Sequence, residues 1–222
     1  MKWKLSLAIL VITVMGLGFS VPKVEAEKVK HIQNQFESHK FFRSAPVSRL
    51  PFSTLVRGEV PKVSMRKCRE GIIETLERLP NEVSSKLKVL ILNFVGGDRG
   101  LADSEKVILR CDVELEERLR VFLHEMGHVA YLSSSSLIRS EYKKLWEKSG
   151  EGDFVSGYAQ EDEFEDFAES FLAFVEFGGS FRGSGSLVVA EKYDFIEKNF
   201  FPDRVYNGER VDFALAFDMT KL

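Results

Sequence analysis

The sequence predicts an α+β fold, because its two strand-like segments precede a series of helical segments. Residues 87–95 (LKVLILNFV) form an unbroken apolar run of strand length, and residues 106–112 (KVILRCD) alternate between two faces. From residue 114 to residue 199, leucine and phenylalanine recur at helical spacing. Strands that come first, with helices after them, are typical of the α+β class.

The composition is that of an ordinary globular protein with one domain. The chain has 222 residues, of which 44% are hydrophobic and 29% are charged, which excludes the disordered and collagen-like classes. The formal net charge of −3 leaves no basic surplus to neutralise a phosphate backbone. We therefore expect no nucleic-acid partner.

Residues 1–26 have the pattern of a secretory signal peptide. Lys2 and Lys4 precede an uncharged apolar run over residues 5–19, and a small residue, Ala26, ends the segment. The alternative is an uncleaved membrane anchor, but the run is shorter than the roughly 20 apolar residues that span a bilayer. We expect cleavage after Ala26, and a secreted, monomeric domain of residues 27–222 without stable membrane association.

The sequence of the N-terminal half of this domain predicts few helices. Residues 27–42 are polar with helical character, and a proline-rich loop follows them. Ser64 resembles a helix N-cap, and apolar residues recur every three or four positions as far as Leu79, where Pro80 ends the pattern. We expect a loop at residues 98–104, between the two strands.

The C-terminal half predicts four helices separated by serine-rich or glycine-rich breaks. The tail that follows them has no pattern that indicates an element. The predicted helices cover residues 114–132, 137–149, 160–177 and 187–199.

The two cysteines, Cys68 and Cys111, allow two interpretations. Secretion into an oxidising space permits a disulfide between them, but sequence spacing cannot show that they are close. They can equally be two buried thiols that pack as small apolar side chains. Neither cysteine has a metal-ligand spacing, so we expect no catalytic role for them.

Residues 124–128 (HEMGH) match the HExxH pattern, within a helical segment. Side chains at positions i and i+4 project from one helix face, so His124 and His128 can bind one Zn²⁺ while Glu125 acts as general base. The alternative is a pair of core histidines satisfied by hydrogen bonds, which requires a partner for each buried polar group. We expect His31 and His39 to be surface residues.

A catalytic zinc site needs a third protein ligand, and the acidic run at residues 160–166 offers several. Helical phase favours Glu165 and Glu169, which both border the stripe of buried phenylalanines, whereas Glu161 and Asp162 lie at the helix start. Glu165 is then a ligand, and Glu169 a hydrogen-bond partner for one of the histidines. The alternative for the whole run is simply an acidic first turn.

Three elements together resemble a family of secreted and toxin zinc peptidases. HEMGH is followed by Tyr158, and Tyr158 by EDFAESF at residues 165–171. This combination is similar to the zinc peptidases typified by the anthrax lethal factor catalytic domain and the Pro-Pro endopeptidases. The similarity extends over about residues 119–200.

The resemblance implies one Zn²⁺ per chain, held by His124, His128 and Glu165. It implies Glu125 as general base and acid, and Tyr158 as the donor to the developing oxyanion. The implied fold is zincin-like, with a small sheet and an active-site helix over a cleft and a helical C-terminal half. The strand at residues 106–112 would be the edge beside the cleft, where an extended peptide substrate adds as a further strand.

The implied function is that of a secreted zinc endopeptidase, and proline-directed cleavage is a narrower hypothesis. The Pro-Pro endopeptidases have a tryptophan before the active-site helix and an acidic residue before the ligand glutamate. This chain has only Trp146 after the signal peptide, and Phe164 stands before Glu165. The alternative function is a catalytically inactive, secreted binding protein with a zincin fold.

Overall fold

The computed structural model describes residues 42–43, 52–183 and 185–202, which belong to one unit spanning Lys40–Leu222. The predicted signal peptide and the tail after residue 202 lie outside the described residues, so secretion and the boundary at Ala26 stay predictions. The same holds for the predicted helix at 27–42, except that Phe42 lies in a strand. Within the described residues, no helix is both long and apolar enough to cross a membrane.

A mixed sheet of five strands forms one side of the described part of the chain. In chain order the strands are β1 (Phe42–Arg43), β2 (Ser53–Arg57), β3 (Val89–Asn93), β4 (Gly100–Ala102) and β5 (Lys106–Arg110). Their spatial order is β1-β2-β3-β5-β4. Strands β2, β3 and β5 run parallel, and β1 and β4 are antiparallel to their neighbours.

The two predicted strands are confirmed as β3 and β5, but the predicted edge is wrong. Strand β5 lies between β3 and β4, with Ile108 paired to both Ile91 and Leu101. The edge is therefore β4, in the segment expected to be a loop. Its three residues, GLA, are too few to show an alternating pattern. Strand β2 was also missed, since prolines at positions 51 and 61 flank it.

Seven helices and one short 3₁₀ helix cover much of the remaining described chain. The 3₁₀ helix is Tyr158–Gln160. The α-helices are α1 (Lys62–Arg78), α2 (Asn81–Ser84), α3 (Leu115–Leu132), α4 (Ser136–Glu147), α5 (Glu163–Phe177), α6 (Gly179–Gly183) and α7 (Leu187–Phe200).

Two predicted helix starts are corrected. Helix α1 begins at Lys62, and Ser64 is not its N-cap, because its backbone N–H already bonds the Pro61 carbonyl at 3.0 Å. Helix α5 begins at Glu163 rather than at residue 160. Asp162 is extended, and its side chain accepts hydrogen bonds from two backbone N–H groups of the first turn, so it is the N-cap of α5.

The fold positions α3 between the sheet and α5. Helix α3 packs on β4 and β5 on one side and on α5 on the other. The approach of α3 to α5 is close, because a Cβ added at Gly127 would lie 2.8 Å from the Cα of Ala168. The HExxH segment is therefore held against α5 by a contact that only a glycine permits.

Aromatic rings fill the core around this helix pair. The Phe167 ring stacks on that of Tyr131 with ring centroids 4.7 Å apart, and meets the ring of Tyr142 edge to face at 4.9 Å. The predicted buried stripe of α5 is confirmed, since its members are all buried: Phe164, Phe167, Ala168, Phe171 and Leu172.

Cys68 and Cys111 form a disulfide, with their Cα atoms 5.7 Å apart. This excludes the alternative of two separate thiols. The bond joins α1 to the residue that follows β5, where the chain turns toward α3. It therefore ties the helix before the sheet to the start of the HExxH helix.

Candidate metal centre

Two helices supply the three predicted ligands. His124 and His128 lie one turn apart on α3, and Glu165 lies in the first turn of α5. The Nε2 atoms of the two histidines are 3.1 Å apart. Glu165 Oε2 lies 3.2 Å from Nε2 of His124 and 3.1 Å from Nε2 of His128. The three side chains thus point at one small, nearly buried volume.

This arrangement fits a metal ion. The donor atoms lie within 4.8 Å of one another and comprise two imidazole nitrogens and one carboxylate oxygen. A tetrahedral ion with ligand bonds of about 2.0–2.1 Å has ligand atoms about 3.3 Å apart, close to the three observed distances. Without an ion, two imidazole nitrogens that face each other need a proton between them. The group of His124, His128 and Glu165 can therefore hold a metal ion.

A proton on His124 competes with a metal ion at this site. Burial alone would lower the pKa of His124, but hydrogen bonds to Glu165 and Glu169, together with the charges of Glu125 and Glu169, raise this pKa to about 10. The metal-free site therefore keeps a proton on His124 at neutral pH. Because a metal binds only the deprotonated nitrogen, metal binding releases a proton.

Glu169 lies where helical phase placed it, one turn after Glu165 and beside His124. Its Oε1 atom is 2.7 Å from Nδ1 of His124, so the ring nitrogen that faces away from Glu165 donates to a carboxylate. Burial would raise the pKa of Glu169, but the hydrogen bonds from His124 and Ser156, together with the charges of His124 and Arg120, lower it. Glu169 therefore fixes the ring orientation of His124 and directs Nε2 toward the site.

Glu125 lies on the sheet side of the same helix. It is buried, and burial raises the pKa of its carboxyl group. Strand β4 passes directly over it, because a Cβ added at Gly100 would fall 2.8 Å from Glu125 Cδ and 2.6 Å from Val121 Cγ1. The carboxyl group is thus confined between α3 and the edge strand, in a place suited to accepting and returning a proton.

Tyr158 begins the 3₁₀ helix before α5 and is about half exposed. Its ring centroid lies 5.8 Å from that of His124. Burial raises the pKa of its phenol, and the carboxylates of Glu165, Glu161 and Glu125 raise it further. The hydroxyl therefore keeps its proton in the neutral range and can donate a hydrogen bond toward the metal centre.

The other acids of the 160–166 run have different partners. Asp162 caps α5, and Glu163 Oε2 lies 3.1 Å from Nζ of Lys143. Asp166 is fully buried, and its Oδ1 atom lies 2.9 Å from Nζ of Lys192. Only Glu165 of this run joins the histidines, so the structure separates the ligand candidate from its acidic neighbours.

Two residues near the site could not be predicted from the sequence. The backbone of Gly100 packs closely on the Glu125 side chain, and the sequence of a three-residue strand gives no indication of this contact. Ser156 lies between helices, where its hydroxyl accepts a hydrogen bond from the Ala159 N–H at 3.1 Å and lowers the pKa of Glu169 through a further hydrogen bond. A serine in a glycine-rich loop has no pattern that predicts this position.

Comparison with known proteins adds no assignment. No protein-family model matches the chain, and no curated protein matches it with significant sequence similarity. The functional interpretation therefore depends on the geometry of the site and on the motifs that occupy it.

Proposed function

We propose that this protein is a secreted zinc-dependent endopeptidase with a zincin-like fold, of the class that the lethal factor catalytic domain and the Pro-Pro endopeptidases represent. One observation carries the proposal. The side chains of His124, His128 and Glu165 converge on one small volume, the Tyr158 ring lies 5.8 Å from that of His124, and the buried Glu125 carboxyl interacts electrostatically with both histidines. A structural histidine pair would require neither the acid nor the phenol there.

The donor set favours zinc. Two imidazole nitrogens and a carboxylate oxygen are the ligands of many hydrolytic zinc sites, which keep the fourth position for water or substrate. His124, His128 and Glu165 would hold the ion, and Glu169 would orient His124 through its hydrogen bond of 2.7 Å. When bound, zinc supplies the Lewis acidity that makes water nucleophilic near neutral pH and polarises the scissile carbonyl.

The side chains of this chain perform the proton transfers. Glu125 takes a proton from the attacking water as the new C–O bond forms, and returns it to the amine as the C–N bond breaks. Its raised pKa suits both steps, because the carboxyl group must lose and regain the proton in one cycle. The Tyr158 hydroxyl donates a hydrogen bond to the oxyanion of the tetrahedral intermediate.

The substrate that this geometry favours is an extended peptide. Strand β4 ends the sheet order, and among the described strands only β5 pairs with it. An extended chain can add to that edge through backbone hydrogen bonds, which places a peptide bond near Glu125. A proline near the scissile bond remains a narrower hypothesis that derives from the family resemblance.

The test is a cleavage assay on a diverse library of quenched fluorescent peptides, with the chain from residue 27 to residue 222. We expect one zinc per chain by elemental analysis, cleavage that a chelator abolishes, and recovery on adding zinc. A Glu125→Gln variant with bound zinc but no cleavage is the matched control.

Two outcomes would change the proposal. Bound zinc without any cleavage of the library would favour the inactive zincin-fold binding protein. Efficient cleavage at sites with no nearby proline would leave a general endopeptidase and discard the proline hypothesis.

A further inference from the structure

A fully buried lysine lies at some distance along the chain from every residue of the proposed mechanism. Lys192, in α7, is 0% exposed. Its Nζ atom lies 2.9 Å from Oδ1 of Asp166 and 2.9 Å from the backbone oxygen of Asp153, and 4.4 Å from the ring centre of Phe154. One ammonium group therefore joins α7, α5 and the loop that precedes the 3₁₀ helix.

The ion pair alone does not account for this lysine. Buried pairs lose hydration on both charges, and well-packed apolar substitutes are often equally stable. Asp166 also has another partner, because its Oδ2 atom accepts a hydrogen bond from the Tyr142 hydroxyl at 2.9 Å. The contacts that distinguish Lys192 are those with the loop, at Asp153 and Phe154.

That loop leads directly to the metal centre. Three residues after Asp153, the Ser156 hydroxyl accepts from the Ala159 N–H at 3.1 Å and also bonds Glu169, which orients His124. Two residues further on stands Tyr158. The same short segment therefore contacts Lys192 at one end and carries the proposed oxyanion donor at the other.

The loop also contains residues that reduce its own rigidity. Gly152 has a φ of 93°, a conformation that favours glycine, and a Cβ added at Gly157 would meet nothing within 4 Å. Glycines leave the backbone more conformations to lose on ordering. An anchor between these two glycines would limit where the following turn can lie, and Asp153 and Phe154 occupy that interval.

We propose that Lys192 is a positioning residue, which anchors the loop at Asp153 and Phe154 so that the Tyr158 hydroxyl is held over the metal centre. The inference rests on the proposed peptidase function. It adds a residue that touches neither substrate nor metal and acts through Tyr158.

The kinetic test is a double-mutant cycle with Lys192→Met and Tyr158→Phe, on a peptide from the library that the parent cleaves. We expect Lys192→Met to lower kcat by about 10²-fold with KM and zinc content unchanged, because small displacements of a catalytic group cost that much. In the Tyr158→Phe background the same change should cost less than about twofold, since the donor is already absent. An equal loss in both backgrounds would overturn the proposal.

The matched control is Lys148→Met. Lys148 also forms an ion pair with a carboxylate, that of Glu191 in α7, but it is exposed and is the C-cap of α4. We expect no change in kcat there. If Lys192→Met does not fold, the Lys192→Met/Asp166→Asn variant removes both charges together and leaves no unpaired buried carboxylate.

A second readout does not depend on activity. Hydrogen exchange should be faster at residues 154–160 in Lys192→Met than in the parent, with α3 and α5 unchanged. Unchanged exchange in this segment would refute the anchor. If the parent cleaves no peptide, the peptidase proposal fails, and the exchange experiment still decides whether Lys192 holds the loop.

Discussion

The carboxyl group of Glu125 lies against the backbone of Gly100, at a distance that leaves no room for a side chain at position 100. An added Cβ would lie 2.8 Å from Glu125 Cδ and 2.6 Å from Val121 Cγ1. The edge strand and the proposed general base therefore share one packed contact. The strand proposed to bind substrate backbone is the same strand that confines the group proposed to activate water.

Gly100→Ala tests this contact. We expect the new methyl group to displace the Glu125 carboxyl, which lowers kcat by about 10²-fold while the metal content stays at one per chain. Cleavage kinetics and elemental analysis measure the two effects. The control is Gly179→Ala, because a Cβ at Gly179 meets nothing within 4 Å. An active Gly100→Ala enzyme would show that Glu125 does not depend on this contact.

The ligand assignment predicts a selective loss of metal. His124→Ala and His128→Ala should abolish zinc binding, and Glu165→Ala should greatly weaken it, because each removes one of three donors. Asp162→Ala should keep the metal and lose about 1 kcal/mol of stability, since Asp162 caps α5. Zinc titration and thermal unfolding distinguish these results.

The matched control for Glu165 is Glu163→Ala, two positions earlier in the same helix turn. Glu163 pairs with Lys143 at 3.1 Å and is not part of the group that could hold a metal ion. Loss of zinc in Glu163→Ala, with retention in Glu165→Ala, would mean that the carboxylate ligand has been assigned to the wrong residue.

Glu125→Gln and Tyr158→Phe should separate chemistry from metal binding. Both variants should bind one zinc and fold as the parent does, because neither side chain is among the proposed ligands. We expect kcat to fall by about 10²–10⁴-fold for the base and by roughly 10²–10³-fold for the oxyanion donor. Unchanged turnover in Tyr158→Phe would reduce that residue to a packing role beside His124.

The disulfide predicts a redox-dependent stability. Cys68 and Cys111 are 43 positions apart, so their bond closes a long loop and restricts the unfolded chain. Replacing both with serine should cost about 2–4 kcal/mol in the free energy of unfolding. Denaturant unfolding measures this cost, and reducing agent should bring the parent to the same midpoint. If the reducing agent left the unfolding midpoint of the parent protein unchanged, that result would argue against the disulfide.

The grouping of His124, His128 and Glu165 could be predicted from the sequence, because the residues on each of the two helices are close in sequence. Two histidines four positions apart, and two glutamates four positions apart, share helix faces by periodicity alone. The structure brings these two faces together through Gly127 and Ala168, a contact between helices that no periodicity encodes. The phase argument succeeded for Glu165 because the phenylalanines beside it are buried as expected.

The sheet was harder to predict because its edges depend on pairing between distant segments. Strand β2 pairs in parallel with β3, from Ser53 opposite Val89 to Arg57 opposite Asn93, across the whole of α1. Strand β4 has three residues and only one neighbour in the described sheet. Short strands have little sequence pattern of their own, so the sequence predicts β5 as the edge, whereas the edge is β4.

The buried ion pair between Asp166 and Lys192 was not predicted either, because the sequence does not show which acidic residue pairs with a distant basic residue. Asp166 lies in the run for which an acidic first turn was the alternative interpretation, yet its side chain is fully buried and paired with Lys192. Its neighbour in the run, Glu165, faces the histidines instead. The partner that decides between these roles is Lys192 of α7, which lies 26 positions after Asp166.

Glu176 gives the last prediction, a dependence of stability on pH. It lies near the end of α5, where burial raises the pKa of its carboxyl group to about 7. The Arg120 guanidinium opposes the shift only partly, because its Nε atom lies 3.5 Å from Glu176 Oε1. A carboxyl whose pKa is higher in the folded state stabilises the fold below its unfolded value of 4.5, and this contribution is lost as pH rises to about 7.

Glu176→Gln removes that titration. We expect the variant to be more stable than the parent near pH 8 and to lose this advantage near about pH 5, where the parent carboxyl is protonated. Thermal unfolding across this range, with zinc held in excess so that the ligands stay bound, measures the difference. Glu141→Gln, at an exposed position of α4, is the control and should show no such trend. A difference between Glu176→Gln and the parent that stayed constant with pH would show that the Glu176 carboxyl does not titrate in this interval.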